Sequence, residues 1–276
     1  MKLDKIDNSS SLEKIKRSLI IQFFKFQNKF GKYSLTKSFI NAPGMIDFNE
    51  RINLYELTKN HYNGHGHIVE FGAFFGSSIS CFLAGLSHGK KLDKFNNNHE
   101  TNFHIFDIFK TPKDSYFARF VEKISSEHNL DNFLSYESDW INFYGVFEEV
   151  VSKYKFSKEV HTMLINDMQW SYGNIEILHL DLSKDWSQSK TIAERAFIHV
   201  IQDGHILFQD FVYHWSSDLI SMIGYLIKNK NIEALYTTSS DNEDIFRFVL
   251  NGDCKKKEII DNFLVKYDIR DCKKLK

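Results

Sequence analysis

Apolar residues recur along this chain in two rhythms, one helical and one strand-like. The stretch "SSLEKIKRSLIIQFFKFQNKFG" (10–31) places Leu12, Ile15, Leu19, Phe23 and Phe26 at helical spacing, with Ser10 or Ser11 as N-cap and Gly31 as a stop. A second stretch, "DFNERINLYELTKN" (47–60), reads as an amphipathic helix. From there strands and helices alternate. "HIVEF" (67–71) reads as a strand, "SSISCFLAGLS" (77–87) as a helix, and "NFHIFDIF" (102–109) as a strand. "EVHTMLIND" (159–167) and "IEILHLD" (175–181) are strand-like, 187–201 is helical, "HILFQDF" (205–211) is a strand, and 216–229 is helical. "IEALYTT" (232–238) and "DIFRFVL" (244–250) lie too close together for a crossover helix, which predicts an antiparallel hairpin.

This alternation predicts an α/β fold: a mostly parallel sheet with helices on both faces, ending in an antiparallel pair. Residues 110–158 interrupt the rhythm and are too long for a plain connection, so two or three helices and a loop are expected there, as an insertion that caps a site. The organisation expected is an N-terminal helical extension (1–46), a main domain (47–252) and a C-terminal helix or tail (253–276).

Composition narrows the classes. An apolar share of 42% supports a core, and 35 Lys plus Arg against 36 Asp plus Glu argue against nucleic acid as a partner. Cys81, Cys254 and Cys272 are too few and too scattered for a disulfide framework, which fits a reducing cytoplasm. No run reaches the roughly 20 apolar residues of a membrane span. The basic face of the 10–31 helix (Lys14, Lys16, Arg17, Lys25, Lys29) leaves membrane contact as the less favoured reading, behind packing on its own domain or a second subunit.

Open parallel sheets bind ligands beyond the carboxyl ends of their strands. There the predicted strands offer Glu70, Gly72 and Gly76, then Asp107, Asp167, Asp181 and the pair Gln209-Asp210. The two glycines of "VEFGAFFGSS" (69–78) let the backbone approach a ligand, and Ser77 or Ser78 caps the next helix. A pyrophosphate site favours a glycine triplet; Glu70 in its place suits a cationic nucleoside, with Asp107 to take two ribose hydroxyls. Asp167 either accepts from an adenine amino group or opens a turn. "HYNGHGH" (61–67) resembles a metal cluster, but no Cys or carboxylate completes a shell and a solvated loop is the better reading. His214 lies at the correct edge, as base or as a packing residue beside Trp215. Tyr116, Phe117, Trp140, Phe143 and Tyr144 of the insertion either line an acceptor pocket or form a small satellite core.

With these motifs the chain resembles class I S-adenosylmethionine-dependent methyltransferases across roughly residues 47–250: "VEFGAFFGSSI" and "FHIFDIF" look like the macrocin O-methyltransferase type, and "LHLDLSKDW…QDGHILFQDF" (178–211) is similar to the catechol O-methyltransferase type. The resemblance implies a Rossmann-like, seven-stranded sheet with a terminal hairpin and an enzyme that moves a methyl group to a hydroxyl of a small molecule. It implies S-adenosylmethionine bound by Glu70, Gly72, Ala73, Gly76, Ser78, Asp107 and Asp167. Magnesium would be held by Asp181, Gln209 and Asp210, with Lys184 as general base or His214 in its place, and a homodimer would be in keeping with related enzymes. Gln209 departs from the family's Asp, so metal-assisted and metal-free mechanisms stand level.

Overall fold

The computed structural model describes residues 39–98, 102–182, 186–209, 232–237 and 246–250. In chain order its elements are α1 (Phe48–Asn60), β1 (His67–Phe71), α2 (Ser77–His88), α3 (Leu92–Asn97), β2 (Phe103–Asp107) and β3 (Lys110–Pro112). Next come α4 (Tyr116–Glu127), β4 (Ser135–Tyr136), β5 (Trp140–Asn142), α5 (Tyr144–Val151) and β6 (Lys158–Thr162). The chain continues through β7 (Ile175–Leu180), α6 (Trp186–Arg195), β8 (Val200–Phe208), β9 (Ile232–Thr237) and β10 (Phe246–Leu250). The predicted helices at 10–31 and 216–229 lie outside the described residues.

Two compact units emerge. One holds 64–71 and the described residues from 163 onward; the other holds 39–63 and 72–162. In the first, β1 pairs parallel with β7 and β7 parallel with β8, while β10 pairs antiparallel with both β8 and β9. In the second, β2 pairs parallel with β6. The fold is therefore α/β, with five strands (β1, β2, β6, β7, β8) in parallel pairings. β1, β2 and β7 are buried along their whole length, which explains their near-continuous apolar runs.

Four sequence-based expectations need correction. The predicted strand "EVHTMLIND" ends at Thr162; Asp167 instead closes a 3-10 turn, Ile165–Asp167, and is exposed. The helix expected over 187–201 stops at Arg195, whose guanidinium donates to the carbonyls of Asn166 and Met168. The following strand begins at Val200 rather than His205. Asp203-Gly204 reads as a turn signal but forms a bulge inside β8: Ile175 pairs with Val200 and Ile177 already pairs with His205. Asp203 takes φ 59°, and a Cβ on Gly204 would lie 2.8 Å from both the Ile201 carbonyl and Val200 Cγ1. Finally, the insertion is not helices and loop alone. Alongside α4 and α5 it contains a three-stranded antiparallel sheet in the order β3-β5-β4. Its strands are two or three residues long, too short for a period-2 pattern to register.

Helix α1 is also less amphipathic than its sequence reads, because Glu50, Arg51, Asn53 and Thr58 are buried together with its apolar residues. Their polar groups serve the backbone. Asp47 and Glu50 form a reciprocal capping box, with Glu50 N–H donating to Asp47 Oδ1 at 2.8 Å and Asp47 N–H to Glu50 Oε2 at 2.6 Å. Arg51 donates to the carbonyls of Ile46 and Phe39. Thr58 donates to the Phe82 carbonyl of α2 at 2.8 Å.

A second link between α1 and α2 is sensitive to pH. Tyr55 Oη lies 2.9 Å from His88 Nδ1, and burial raises the phenol's pKa to about 12, so the hydroxyl keeps its proton. Burial first, then the nearby Lys59 charge, lowers the His88 pKa below its usual 6.5. Unfolded chains therefore bind a proton before folded ones as pH falls, and stability drops below pH 6.5 until His88 is protonated in the folded state as well. Urea unfolding followed by circular dichroism should show this decline between neutral pH and pH 5, and His88→Gln should make it shallower. An equal slope in wild type and variant would assign the pH dependence to other groups.

Candidate active site

The loop after β1 departs from ordinary backbone at three points: Gly72 (φ 89°), Phe74 (φ 47°) and Gly76 (φ 82°) all adopt left-handed conformations. A phenylalanine in that region is costly and must be held there by its surroundings. Asp107, at the end of β2, supplies part of the restraint. One carboxylate oxygen accepts from Phe74 N–H at 3.0 Å and the other from Phe109 N–H at 2.7 Å. Gly72 N–H donates to the Phe106 carbonyl at 2.9 Å, tying the loop to the same strand. The Phe74 ring stacks on Phe75 at 3.9 Å and meets Phe117 and Phe143 at 5.3 and 5.5 Å.

Gly76 caps α2 from the left-handed region without any side-chain capping bond, so neither Ser77 nor Ser78 acts as the N-cap predicted for them. Both serines and Ala73 are buried. A Cβ on Gly76 would lie 2.7 Å from Val151 Cγ1 and 3.4 Å from the Phe147 ring, both on α5. This glycine is thus explained by packing against the insertion and by its φ. The insertion aromatics divide in the same way. Phe143 is buried among Phe74, Phe75 and Phe109, in line with a satellite core, while Tyr116, Phe117, Trp140 and Tyr144 keep exposed surface.

In the other unit, Glu70 is fully buried, and its Oε1 lies 2.9 Å from Nδ1 of the equally buried His179. The parallel register of β1 and β7 sets Glu70 directly beside His179. Glu70 is therefore an internal acid with a buried partner rather than an anion standing free beside the loop. Its partner was missed from sequence, although a histidine inside the apolar run "IEILHL" is a readable signal of a buried polar pair. Asp181 follows β7 and Gln209 follows β8. Their backbone amides donate to the carbonyls of Phe71 and Leu180, both at 2.9 Å, which sets them at the ends of neighbouring strands. Asp181 is half-buried and Gln209 is buried. Lys184, Asp210 and His214 lie outside the described residues.

His65 and His67 of "HYNGHGH" belong to no ligand cluster among the described residues. His65 donates its backbone N–H to Glu176, and His67 is buried, with Nε2 at 2.7 Å from the Tyr172 carbonyl and its ring against Trp170. For His67 this corrects the expected solvated loop. Among the described residues the cluster able to hold a cation is His104, Glu159 and His161, across β2 and β6. Burial lowers the pKa of His161, against a smaller raising effect from Glu159. No described helix is long and apolar enough to cross a membrane.

The chain is similar in fold to a solved structure, that of NovP. NovP, an O-methyltransferase, has a TM-score of 0.51 at 12% identity, covering 86% of this chain and 100% of NovP. CalS11, a TDP-rhamnose 3′-O-methyltransferase of calicheamicin biosynthesis, scores 0.44 at 14% identity over 87% of this chain and 95% of its own. A putative caffeoyl-CoA O-methyltransferase from Staphylococcus aureus scores 0.44 at 10% identity over 84% and 99%. At such identities the likeness to NovP is one of fold. No family model and no curated protein sequence matches the chain.

Two substitutions test how the loop is held. Gly76→Ala meets both the left-handed backbone and the wall of α5, and should cost about 2–4 kcal/mol in urea unfolding. Asp107→Asn replaces one acceptor oxygen by a donor, leaves a backbone N–H without its partner, and should cost about 1–3 kcal/mol. Changes under about 0.5 kcal/mol in both would show that the loop is held by something else.

Proposed function

We propose that this chain is an S-adenosylmethionine-dependent O-methyltransferase acting on a hydroxyl of a small molecule, of sugar or secondary-metabolite type. The observation that carries this reading is the left-handed loop Gly72–Gly76 pinned by Asp107, in a chain with the fold of NovP. In this reading the strands complete a seven-stranded Rossmann-like sheet with a terminal hairpin, and residues 110–158 cap the acceptor side. Glu70, Gly72, Ala73, Gly76, Ser78, Asp107 and Asp167 serve the cofactor.

The chemistry of these groups fits a nucleoside better than a phosphate. Each Asp107 oxygen accepts one backbone N–H, and a carboxylate in this position suits hydroxyl donors and repels an anion. Glu70, buried against His179, acts by holding the strand end that launches the loop rather than by direct contact. When bound, S-adenosylmethionine supplies a methyl group on a sulfonium, which needs chiefly an aligned oxygen nucleophile. The chain's own task is to orient the acceptor hydroxyl and remove its proton, for which Lys184 and His214 are the candidate bases. Asp181, Gln209 and Asp210 offer only oxygen donors from two carboxylates and an amide, a set suited to magnesium. A cation there would lower the pKa of the acceptor hydroxyl, and the neutral amide would hold it less tightly than a third carboxylate.

Calorimetry with S-adenosylmethionine should show one site per chain, and absence of binding would sink the reading. Glu70→Gln keeps an oxygen able to pair with His179, so it should weaken binding by less than tenfold. A loss of a hundredfold or more would instead mean that the Glu70 charge is felt directly by the cofactor. Methyl transfer to a panel of sugar and phenolic acceptors, run with and without magnesium, comes next. If the metal site is active but weak, Gln209→Asp should lower the magnesium concentration needed for half-maximal rate by about tenfold. Equal rates with magnesium and with chelator would rule out metal assistance.

A further inference from the structure

Outside the loop and the Asp181–Gln209 strand ends, one group of side chains is arranged as a ligand set. The parallel register places His104 of β2 beside Glu159 of β6, and Phe106 beside His161. Alternation along each strand then brings His104, Phe106, Glu159 and His161 to one face of the pair. His104 Nδ1 lies 3.1 Å from His161 Nε2 and 3.8 Å from Glu159 Oε2, and one donor atom from each of the three lies within 4.8 Å of the others. Two donors bound to zinc at about 2.0–2.1 Å and a tetrahedral angle sit roughly 3.3–3.5 Å apart. The observed separations fall on either side of that value, so small side-chain adjustments bring all three to a common centre.

The surroundings hold these donors in place. Asn102 Nδ2 donates to the second carboxylate oxygen, Glu159 Oε1, at 2.9 Å and orients Oε2. The Phe106 ring stacks on His161 at 4.2 Å with planes 13° apart, and the two imidazoles lie within 10° of parallel. Neighbours that fix the tautomer and direction of ligating side chains are a regular part of metal sites. Burial is graded: His104 is inaccessible, His161 partly exposed, and Glu159 exposed at the rim, which leaves a route for an ion and room for a solvent ligand.

We propose that His104, Glu159 and His161 form a zinc-class divalent cation site that staples β2 to β6, separate from the magnesium position considered above. The two-imidazole, one-carboxylate set favours a borderline metal over magnesium or calcium, which prefer all-oxygen shells. In the metal-free neutral pair, one proton lies between the facing ring nitrogens. Occupation moves that proton to a far ring nitrogen, so that Nδ1 of His104 and Nε2 of His161 both present lone pairs. The carboxylate then becomes the third ligand and water the fourth. The staple stiffens the strand that ends in Asp107, three residues beyond His104.

Chelator-stripped full-length chain, titrated calorimetrically with zinc chloride, tests this without reference to methyl transfer. One site with a micromolar or tighter Kd is expected, and saturating zinc should raise the thermal unfolding midpoint. Glu159→Gln, a substitution at an exposed side chain, and His161→Gln should each weaken zinc binding by at least tenfold. His65→Asn should leave it unchanged. Cobalt substituted for zinc should give the visible absorption of a four-coordinate ion, lost in Glu159→Gln. No zinc uptake would overturn the proposal and leave the contact as a neutral histidine–histidine hydrogen bond only. Zinc uptake that survives both ligand substitutions would overturn it as well, by placing the ion elsewhere.

Discussion

A single carboxylate, that of Asp107, governs the geometry on which the candidate site depends. It ends β2 and receives two backbone amides from residues in the left-handed region, Phe74 at φ 47° and Phe109 at φ 50°. Non-glycine residues pay for that conformation, and here the cost is offset by charge-assisted hydrogen bonds, by burial of Phe109 and by the ring contacts of Phe74. Phe74 contacts the Phe75, Phe117 and Phe143 rings, and Phe109 contacts Phe143, Tyr144 and Phe147. Loop shape and insertion packing are therefore one problem with one solution. Gly76 belongs to it too, because only a residue without Cβ leaves room for Val151 and Phe147 of α5.

Much of this was legible from residue pattern, for reasons that also mark the limits. β1, β2 and β7 are long apolar runs buried on both faces, and such runs announce themselves. Glycines before a Ser-rich helix start announce a tight strand-to-helix turn. The short strands β3, β4 and β5 could not be read, since two or three residues carry no period. The start of β8 was misread because Asp203-Gly204 has the chemistry of a turn while serving as a bulge, and only the register with β7 distinguishes the two. The placing of Asp167 at a strand end is corrected for a related cause: the apolar run continues past Thr162, but the backbone leaves the strand for a 3-10 turn.

Residues of the candidate site were legible as types and less so as roles. Glu70 was identified by its place in the motif, yet its role depends on His179, which is distant in sequence and adjacent only through strand register. The same holds for His104, Glu159 and His161, whose common face follows from the β2–β6 pairing and from no spacing along the chain. Linear motifs report what lies within a few residues. Pairings between parallel strands are set by crossovers of many residues, so a single sequence carries little trace of them.

For the proposed cofactor site, burial of Glu70 changes how the motif "VEFGAFFGSS" would discriminate among nucleotides. A free anion beside the loop would exclude a pyrophosphate by direct repulsion. Glu70 is instead enclosed beside His179, which removes it from direct contact with a ligand. Under the proposed function, discrimination would then rest on Asp107, whose carboxylate oxygens are acceptors only. In the proposed reading, a carboxylate at this position would suit ligands that bring hydrogen-bond donors, as a vicinal diol does, and not phosphate oxygens, which bring none. A ribose meets that condition in any nucleoside. Under the proposed function, selection for a cation over a neutral nucleoside would draw on the negative charge of Asp107 itself, because Asp181 and Asp210 are there assigned to the metal position.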